Sequence, residues 1–373
     1  MVLNTSDFLS KIRRVQDFSY LRELRRLVYA IGEGRNDLVN FIIERNGLEK
    51  LISTISDDET NPLLHALKCN NFGAVGILFK AGYDLNQVLK DGKSFFDYLI
   101  EQNIPENMIA VLNFGPNINT LNAKGNTILH KTVKENKVSL LDAILDYRRT
   151  DINIADYFGN TAVHYACIYD RLDCLKSLIS HNAKLNCVNK SKNYPLHLAI
   201  YNESFECFQY ITDVISDETG FRENTNTMLD PEKVMSWVNQ EGQIPIHAAI
   251  EIGNPRMVEI CLRLNTNIMT TDNQNNHALH MACKKGNLKI VKIIIAKAVD
   301  SKSYIESVNK NLDTSLHLAA QANHPRIVEY LLSMNSSRLI YLELDYLKNS
   351  TKKYRDKLRR PLEIIETQPV LTL

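Results

Sequence analysis

Thr161-Ala162-Val163-His164-Tyr165-Ala166 is one of six copies of a short segment that recurs along this chain. The others are Thr127-Ile128-Leu129-His130, Pro195-Leu196-His197-Leu198-Ala199, Pro245-Ile246-His247-Ala248-Ala249, Ala278-Leu279-His280-Met281-Ala282 and Ser315-Leu316-His317-Leu318-Ala319. Subtracting successive histidine numbers gives spacings of 34, 33, 50, 33 and 37. Self-similarity at about 33 residues is the signature of stacked helix pairs. Working outward from the Thr161 copy, Val163, Ala166 and Cys167 form one short apolar stripe, and Leu172, Leu175, Leu178 and Ile179 a second at helical spacing. Neither stripe can bury itself alone, so neighbouring copies must cover it. Thr161 stands where a helix N-cap would be, its hydroxyl placed to accept from a free backbone amide.

The run Asp156-Tyr157-Phe158-Gly159-Asn160-Thr161, with Leu178-Ile179 and the closing Asn182-Ala183-Lys184-Leu185-Asn186, resembles one ankyrin repeat. Weaker copies precede it: Leu27-Val28-Tyr29-Ala30 with Gly34, Asn61-Pro62-Leu63-Leu64 to Asp84-Leu85-Asn86, and Asp91-Gly92-Lys93-Ser94 to Asn117-Ile118-Asn119. Pro361-Leu362-Glu363-Ile364-Ile365 resembles the opening of another. The resemblance implies an all-α solenoid, an ankyrin array of about nine to ten helix-turn-helix repeats with β-hairpin fingers. It divides the chain into an N-terminal capping helix over 1–26, the array over 27–340, and a basic C-terminal segment over 341–373 with a partial repeat. In the family the fourth finger residue is glycine, suited to positive φ. Lys192, Asn275 and Leu312 replace it in three fingers, and for Lys and Leu a reshaped finger is expected.

Two steps are irregular. The 50-residue step contains an insertion of about 17 residues within 213–238, holding the single tryptophan, Trp237. Asp230-Pro231-Glu232 reads as a helix start, while Gly220 to Thr227 reads as a loop. The 37-residue step adds four residues near Val299 to Tyr304, expected to lengthen a finger or loop. At the ends, Phe8, Leu9, Ile12, Val15, Phe18 and Leu21 space out as an amphipathic helix, and Lys348 to Arg360 form a basic run able to make a weak anionic contact.

A net charge of +1 and 44% hydrophobic residues allow a packed core and give no global attraction to nucleic acid or membrane. No stretch is apolar for long enough to cross a bilayer. The seven cysteines are scattered, and the compartment expected is the cytoplasm or the nucleus. His164 with Cys167, and His280 with Cys283, sit three apart and could share a metal, but both belong to the repeat pattern and read as core. No hydrolase, zinc-protease or phosphate-loop motif is present, so no enzyme, cofactor or metal is expected.

Function is therefore sought on the surface. The resemblance implies partner contacts at the finger tips and at the residues after each Ala-Ala. These are Tyr157 and Phe158, Ile168 and Tyr169, Tyr201 and Asn202, Glu251 and Ile252, and Lys284 and Lys285. Aromatics that the repeat does not need for its own core are the usual anchors of protein interfaces. The function this resemblance implies is an adaptor or scaffold that captures partner proteins noncovalently on the concave ankyrin face. The alternative is a regulatory ankyrin module of a larger phospholipase-like enzyme or cation channel. Inhibition of a nuclear transcription factor would predict a flanking acidic region that the chain lacks.

Overall fold

The structure is a computed structural model that describes residues 20–52, 61–86, 92–122, 124–216 and 230–334. The N-terminal stripe from Phe8 to Phe18, the loop read at 220–227, the basic run and the partial repeat at Pro361 lie outside these residues. The chain forms two compact units, Met1–Tyr157 and Phe158–Leu373. Both are helical, and the one isolated β-bridge among the described residues pairs Val308 with Thr314.

In the first unit, helix α1 runs over 20–32. It is followed by α2 (Asn36–Asn46), α3 (Leu48–Ile52), α4 (Pro62–Lys68), α5 (Phe72–Lys80), α6 (Phe95–Gln102), α7 (Pro105–Leu112), α8 (Ile128–Lys134) and α9 (Val138–Leu145). The pairs α4 with α5 and α8 with α9 pack together, and α2, α5, α7 and α9 pack in succession. The second unit holds α10 (Ala162–Ile168), α11 (Leu172–Ser180), α12 (Pro195–Tyr201), α13 (Phe205–Ser216), α14 (Pro231–Met235), α15 (Pro245–Ile252), α16 (Pro255–Arg263), α17 (Ala278–Lys285), α18 (Leu288–Lys297), α19 (Ser301–Glu306), α20 (Ser315–Gln321) and α21 (Pro325–Met334). There the short first helices α10, α12, α15, α17 and α20 stack one on the next. Small side chains permit that approach: Ala166, Ala199, Ala249, Ala282 and Ala319 are fully buried.

Each helix pair turns on one residue with positive φ. These are Gly34, Asn70, Asn103 and Asn136 in the first unit, and Asp170, Glu203, Gly253, Gly286 and Asn323 in the second. The turn is locked by a bond from the following amide back to the first helix, as in Arg171 N–H to Ala166 O (2.9 Å), Ser204 N–H to Ala199 O (2.8 Å) and His324 N–H to Ala319 O (2.9 Å). That is the closure of a left-handed helix terminus, which Asn tolerates nearly as well as Gly.

Both irregular steps contain helix. Asp230 Oδ1 accepts from Glu232 N–H (3.0 Å) at the start of α14, and Trp237 stacks on Tyr194 at 4.3 Å. The four residues added near 300 build α19 rather than a longer loop. Tyr304 lies at its centre, 2% exposed, donating to Ile268 O (2.9 Å) and accepting from Leu279 N–H (3.3 Å). A buried phenol with both hydrogen-bonding roles filled stabilises a short helix that could not stand alone.

Candidate functional site

The finger tips are built on an Asn or Asp whose side chain closes the turn. Asn189 Oδ1 accepts from the amides of Ser191 and Asn193, each at 3.0 Å. Asn239 does the same for Glu241 and Gln243, Asp272 for Gln274 and Asn276, and Asn309 for Asn311 and Asp313. In the first unit Asn122 holds Lys124 and Asn126 in this way. Such a turn fixes the backbone from the side chain, independent of what stands at the fourth position.

That explains a departure from expectation. Lys192, Asn275 and Leu312 adopt positive φ of 56°, 57° and 63°, the region occupied by Gly125 and Gly242 at 80° and 74°. The fingers at Lys192 and Leu312 are therefore not reshaped. Their amides donate to Asn189 O (2.9 Å) and Asn309 O (3.0 Å), as the Gly242 amide does to Asn239 O (3.1 Å). Glycine matters more for close approach: a Cβ on Gly159 would lie 2.8 Å from the Lys190 backbone nitrogen.

Neighbouring fingers are joined through backbone. Lys190 N–H donates to Phe158 O (2.9 Å), Gln240 to Ser191 (3.2 Å), Asn273 to Glu241 (3.0 Å) and Lys310 to Gln274 (3.0 Å). Beneath the fingers, three histidines of the repeat, His164, His197 and His280, tie one copy to the next, whereas the buried Nε2 of His247 meets no such partner. The Nδ1 of His164 accepts from Thr161 N–H at 3.0 Å, which leaves the proton on Nε2 to donate to Asn193 O at 3.1 Å. His197 Nε2 likewise meets Gln243 O (3.0 Å) and His280 Nε2 meets Ser307 O (3.0 Å). Burial pushes His197 and His247 down to about 4. Burial, reinforced by the neighbouring imidazoles of His280 and His247, pushes His277 to about 2. Cys167 and Cys283 are fully buried thiols held protonated by desolvation. Among the described residues no group of three or more His, Cys, Asp or Glu side chains could hold a metal ion.

The residues expected to meet a partner divide into three kinds. Phe158 is 68% exposed at its tip. Tyr157, 54% exposed, lies against Gly125 of the preceding finger, where a Cβ would fall 2.3 Å from its ring; it packs on its neighbour as well as facing water. Ile168, Tyr169, Tyr201, Glu251 and Ile252 are half-buried rather than solvated. Tyr169 leans on Tyr165 at 5.8 Å. The Tyr201 hydroxyl donates to Gln243 Oε1 (2.5 Å) and accepts from Asn239 Nδ2 (3.0 Å). Gln243 in turn donates to Glu251 (3.2 Å), which pairs with Lys285 at 3.7 Å. Tyr201, Glu251 and Lys285 thus form one polar chain across α12, α15 and α17. Burial, with Glu251 and Glu241 nearby, drives the Tyr201 hydroxyl up to about 12. Lys284 and Asn202 are exposed, and Asn202 Nδ2 caps its own helix at Leu198 O (2.8 Å). Sequence reasoning missed Asn239 and Gln243, although each occupies the finger position that faces the first helix.

Comparison with known proteins agrees with this geometry. The family model for ankyrin repeats (three copies) matches residues 95–189, 129–218, 218–304 and 246–340. The transient receptor potential cation channel subfamily A member 1 of Drosophila melanogaster is 30% identical over 203 residues, covering 53% of this chain and 16% of the channel. Its Homo sapiens counterpart is 25% identical over 349 residues, 89% of this chain and 27% of the channel. Human inversin is 22% identical over 62% of this chain and 21% of its own length. The chain thus spans well under two thirds of these relatives. In fold it matches the crystal structure of the ankyrin repeat domain of Bcl-3, at TM-score 0.54 and 22% identity, over 65% of this chain and 99% of that one. Repeat spacing, histidine-linked helix pairs and the family match together make this chain a member of the ankyrin-repeat family, whose arrays mediate protein–protein interaction.

Proposed function

We propose that the chain is an adaptor or scaffold that captures a partner protein noncovalently on its finger tips and the adjoining ends of its first helices. The observation that carries this reading is Phe158, an aromatic ring 68% exposed at a tip whose own carbonyl is pinned by Lys190 N–H. A large apolar side chain on a rigid support is what a protein interface uses as an anchor. Ile168 ends α10 and Tyr169 caps it in the same unit, and Tyr201, Asn202, Glu251, Lys284 and Lys285 would supply a polar surround with Ile252 among them. The test is capture of partners from cell extract by the full chain, with each partner's affinity then measured against Phe158→Ala and the exposed control Lys176→Ala. Phe158→Ala should weaken binding by on the order of thirtyfold while the control changes little. Unchanged binding by Phe158→Ala would remove this face from consideration.

A second reading is that this capture regulates a larger cation channel of which the array is one part. The favouring observation is the alignment of 89% of the chain with 27% of the human channel. Reading the coding sequence on both sides of the present one, for membrane-spanning segments, tests it.

A further inference from the structure

In a stack of repeats each apolar face is covered by a neighbour, and an end face left to water is ordinarily polar. Among the described residues of the Met1–Tyr157 unit, α1 carries a face that is not polar throughout. On α1 the side chains of Leu24, Leu27, Ala30 and Ile31 are fully buried. Leu21, Arg22, Arg25, Arg26 and Tyr29 instead line an open groove of about 590 Å³, whose opposite wall is Leu38 of α2. Tyr29 is 66% exposed, and Phe41, one turn on from Leu38, is 55% exposed. Exposed aromatics beside a concave apolar floor mark a binding surface more often than chance exposure does.

The charged residues that line the groove, Arg22, Arg25 and Arg26, are all basic. Glu23 pairs with Arg26 at 3.1 Å, whereas Arg22 and Arg25 have no ion pair among the described residues. They stand three apart on the helix, so their guanidinium groups rise from adjacent turns of one face. A guanidinium fork is shaped to take a carboxylate at two points.

We propose that this groove docks an acidic segment of a partner protein that carries an apolar anchor. A Leu or Phe side chain enters between Tyr29 and Leu38, and carboxylates on either side of it meet Arg22 and Arg25. A lipid surface fits less well. A face that lies on a membrane presents its apolar side chains outward on a convex stripe, whereas here Leu21 and Leu38 line a groove between two helices. The site is independent of Phe158, so either proposal can fail without the other.

The experiment uses the full chain and a fluorescein-labelled synthetic peptide of Glu and Asp residues around a central Leu-Phe pair, with fluorescence anisotropy as readout. Saturable binding is expected, weakened at least about tenfold by Arg22→Glu/Arg25→Glu and separately by Tyr29→Ala, with thermal unfolding of both variants unchanged because the replaced side chains are exposed. A peptide with Ala-Ala in place of Leu-Phe should bind more weakly than the parent. Equal binding of the two peptides, indifference to both variants, or no binding at all would overturn the proposal. So would binding to phosphatidylserine vesicles in place of the peptide, which would make the surface a lipid contact. Peptide binding that emerges only after deletion of residues 1–19 would show that the chain's own N-terminal segment is the occupant.

Discussion

The helices α6 and α8 begin with the same device made from different chemistry. At α6, Ser94 is the cap and Asp97 closes the box, its Oδ2 accepting from the Ser94 amide at 2.6 Å and the Ser94 hydroxyl at 2.9 Å. Its other oxygen takes Lys131 of the following repeat at 2.7 Å. At α8, Thr127 is the cap and His130 closes the box, its Nδ1 accepting from the Thr127 amide at 3.3 Å. In both, one heteroatom secures the local helix start while another is free to reach the next copy. The carboxylate must borrow a lysine to do so, whereas imidazole has a proton of its own to donate. That is why the histidine version can be fully buried, as at His164 and His280, where both ring nitrogens are bonded and exposure is 0%. The carboxylate version stays near the surface, where a charged pair is tolerated.

The difference has opposite consequences in acid, and this gives the largest expected effect. Burial holds His197 and His247 at about 4 in the folded chain, below the free value of 6.5. A lowered folded pKa means stability that is complete above about 6.5 and is lost progressively as pH falls toward about 4. Desolvation tends to raise Asp97, but the bonds from Lys131 and Ser94 outweigh it and hold this carboxyl below its usual 3.8; its contribution is lost only at more acid pH. The second unit should therefore lose several kcal/mol between pH 6.5 and pH 4 while the Asp97 cap is intact. Trp237, the only tryptophan, reports that unit. Its fluorescence melting temperature should fall steeply over this range, and a flat profile would contradict the assignment.

Removing the closing side chain sharpens the same comparison. His164→Ala strands a buried Thr161 amide and the Asn193 carbonyl, for an expected loss of about 3 kcal/mol by urea unfolding. Asp97→Ala removes a partly exposed group whose partners can turn to water, and should cost about 1 kcal/mol. Equal losses would mean that burial does not distinguish the two boxes.

Smaller effects are expected where fingers with and without glycine are exchanged. Gly159→Ala meets the Lys190 backbone and should destabilise by about 2 kcal/mol. Leu312→Gly relieves an exposed residue held at φ 63° and should stabilise by up to about 1 kcal/mol. Loss of stability by Leu312→Gly would show that its side chain packs more than its 75% exposure suggests.

The later repeats were legible in sequence because Thr-x-x-His, Ala-Ala and the period all point to one geometry. The earlier ones were faint because Asp97 replaces histidine, and Asn70 and Asn103 do at their turns what glycine does at Gly253. These are chemical equivalents that a residue-by-residue pattern does not equate. The Lys192 and Leu312 fingers were misjudged for a related reason. The weight was placed on the residue with positive φ, while the turn is enforced from Asn189 and Asn309. The extra helix α19 was read as loop because four residues carry no periodicity, and its stability comes from one buried phenol. The surface positions followed from the register, but whether a side chain there is open did not. Phe158 stands out, Tyr157 leans on Gly125, and Tyr201 is drawn inward by Asn239 and Gln243, partners more than thirty residues away.

Tyr304 also gives this array a mechanical character. A stack of repeats drawn from one end peels copy by copy, each releasing about 110 Å of chain for some 33 residues. Most joints in the second unit must break a finger bond and a histidine bond. At α19 the tension must also tear the Tyr304 hydroxyl from Ile268 and Leu279 and slide its ring off His277, 4.2 Å away. Under load the second unit is a spring with a reinforced coil at α19, where extension pauses.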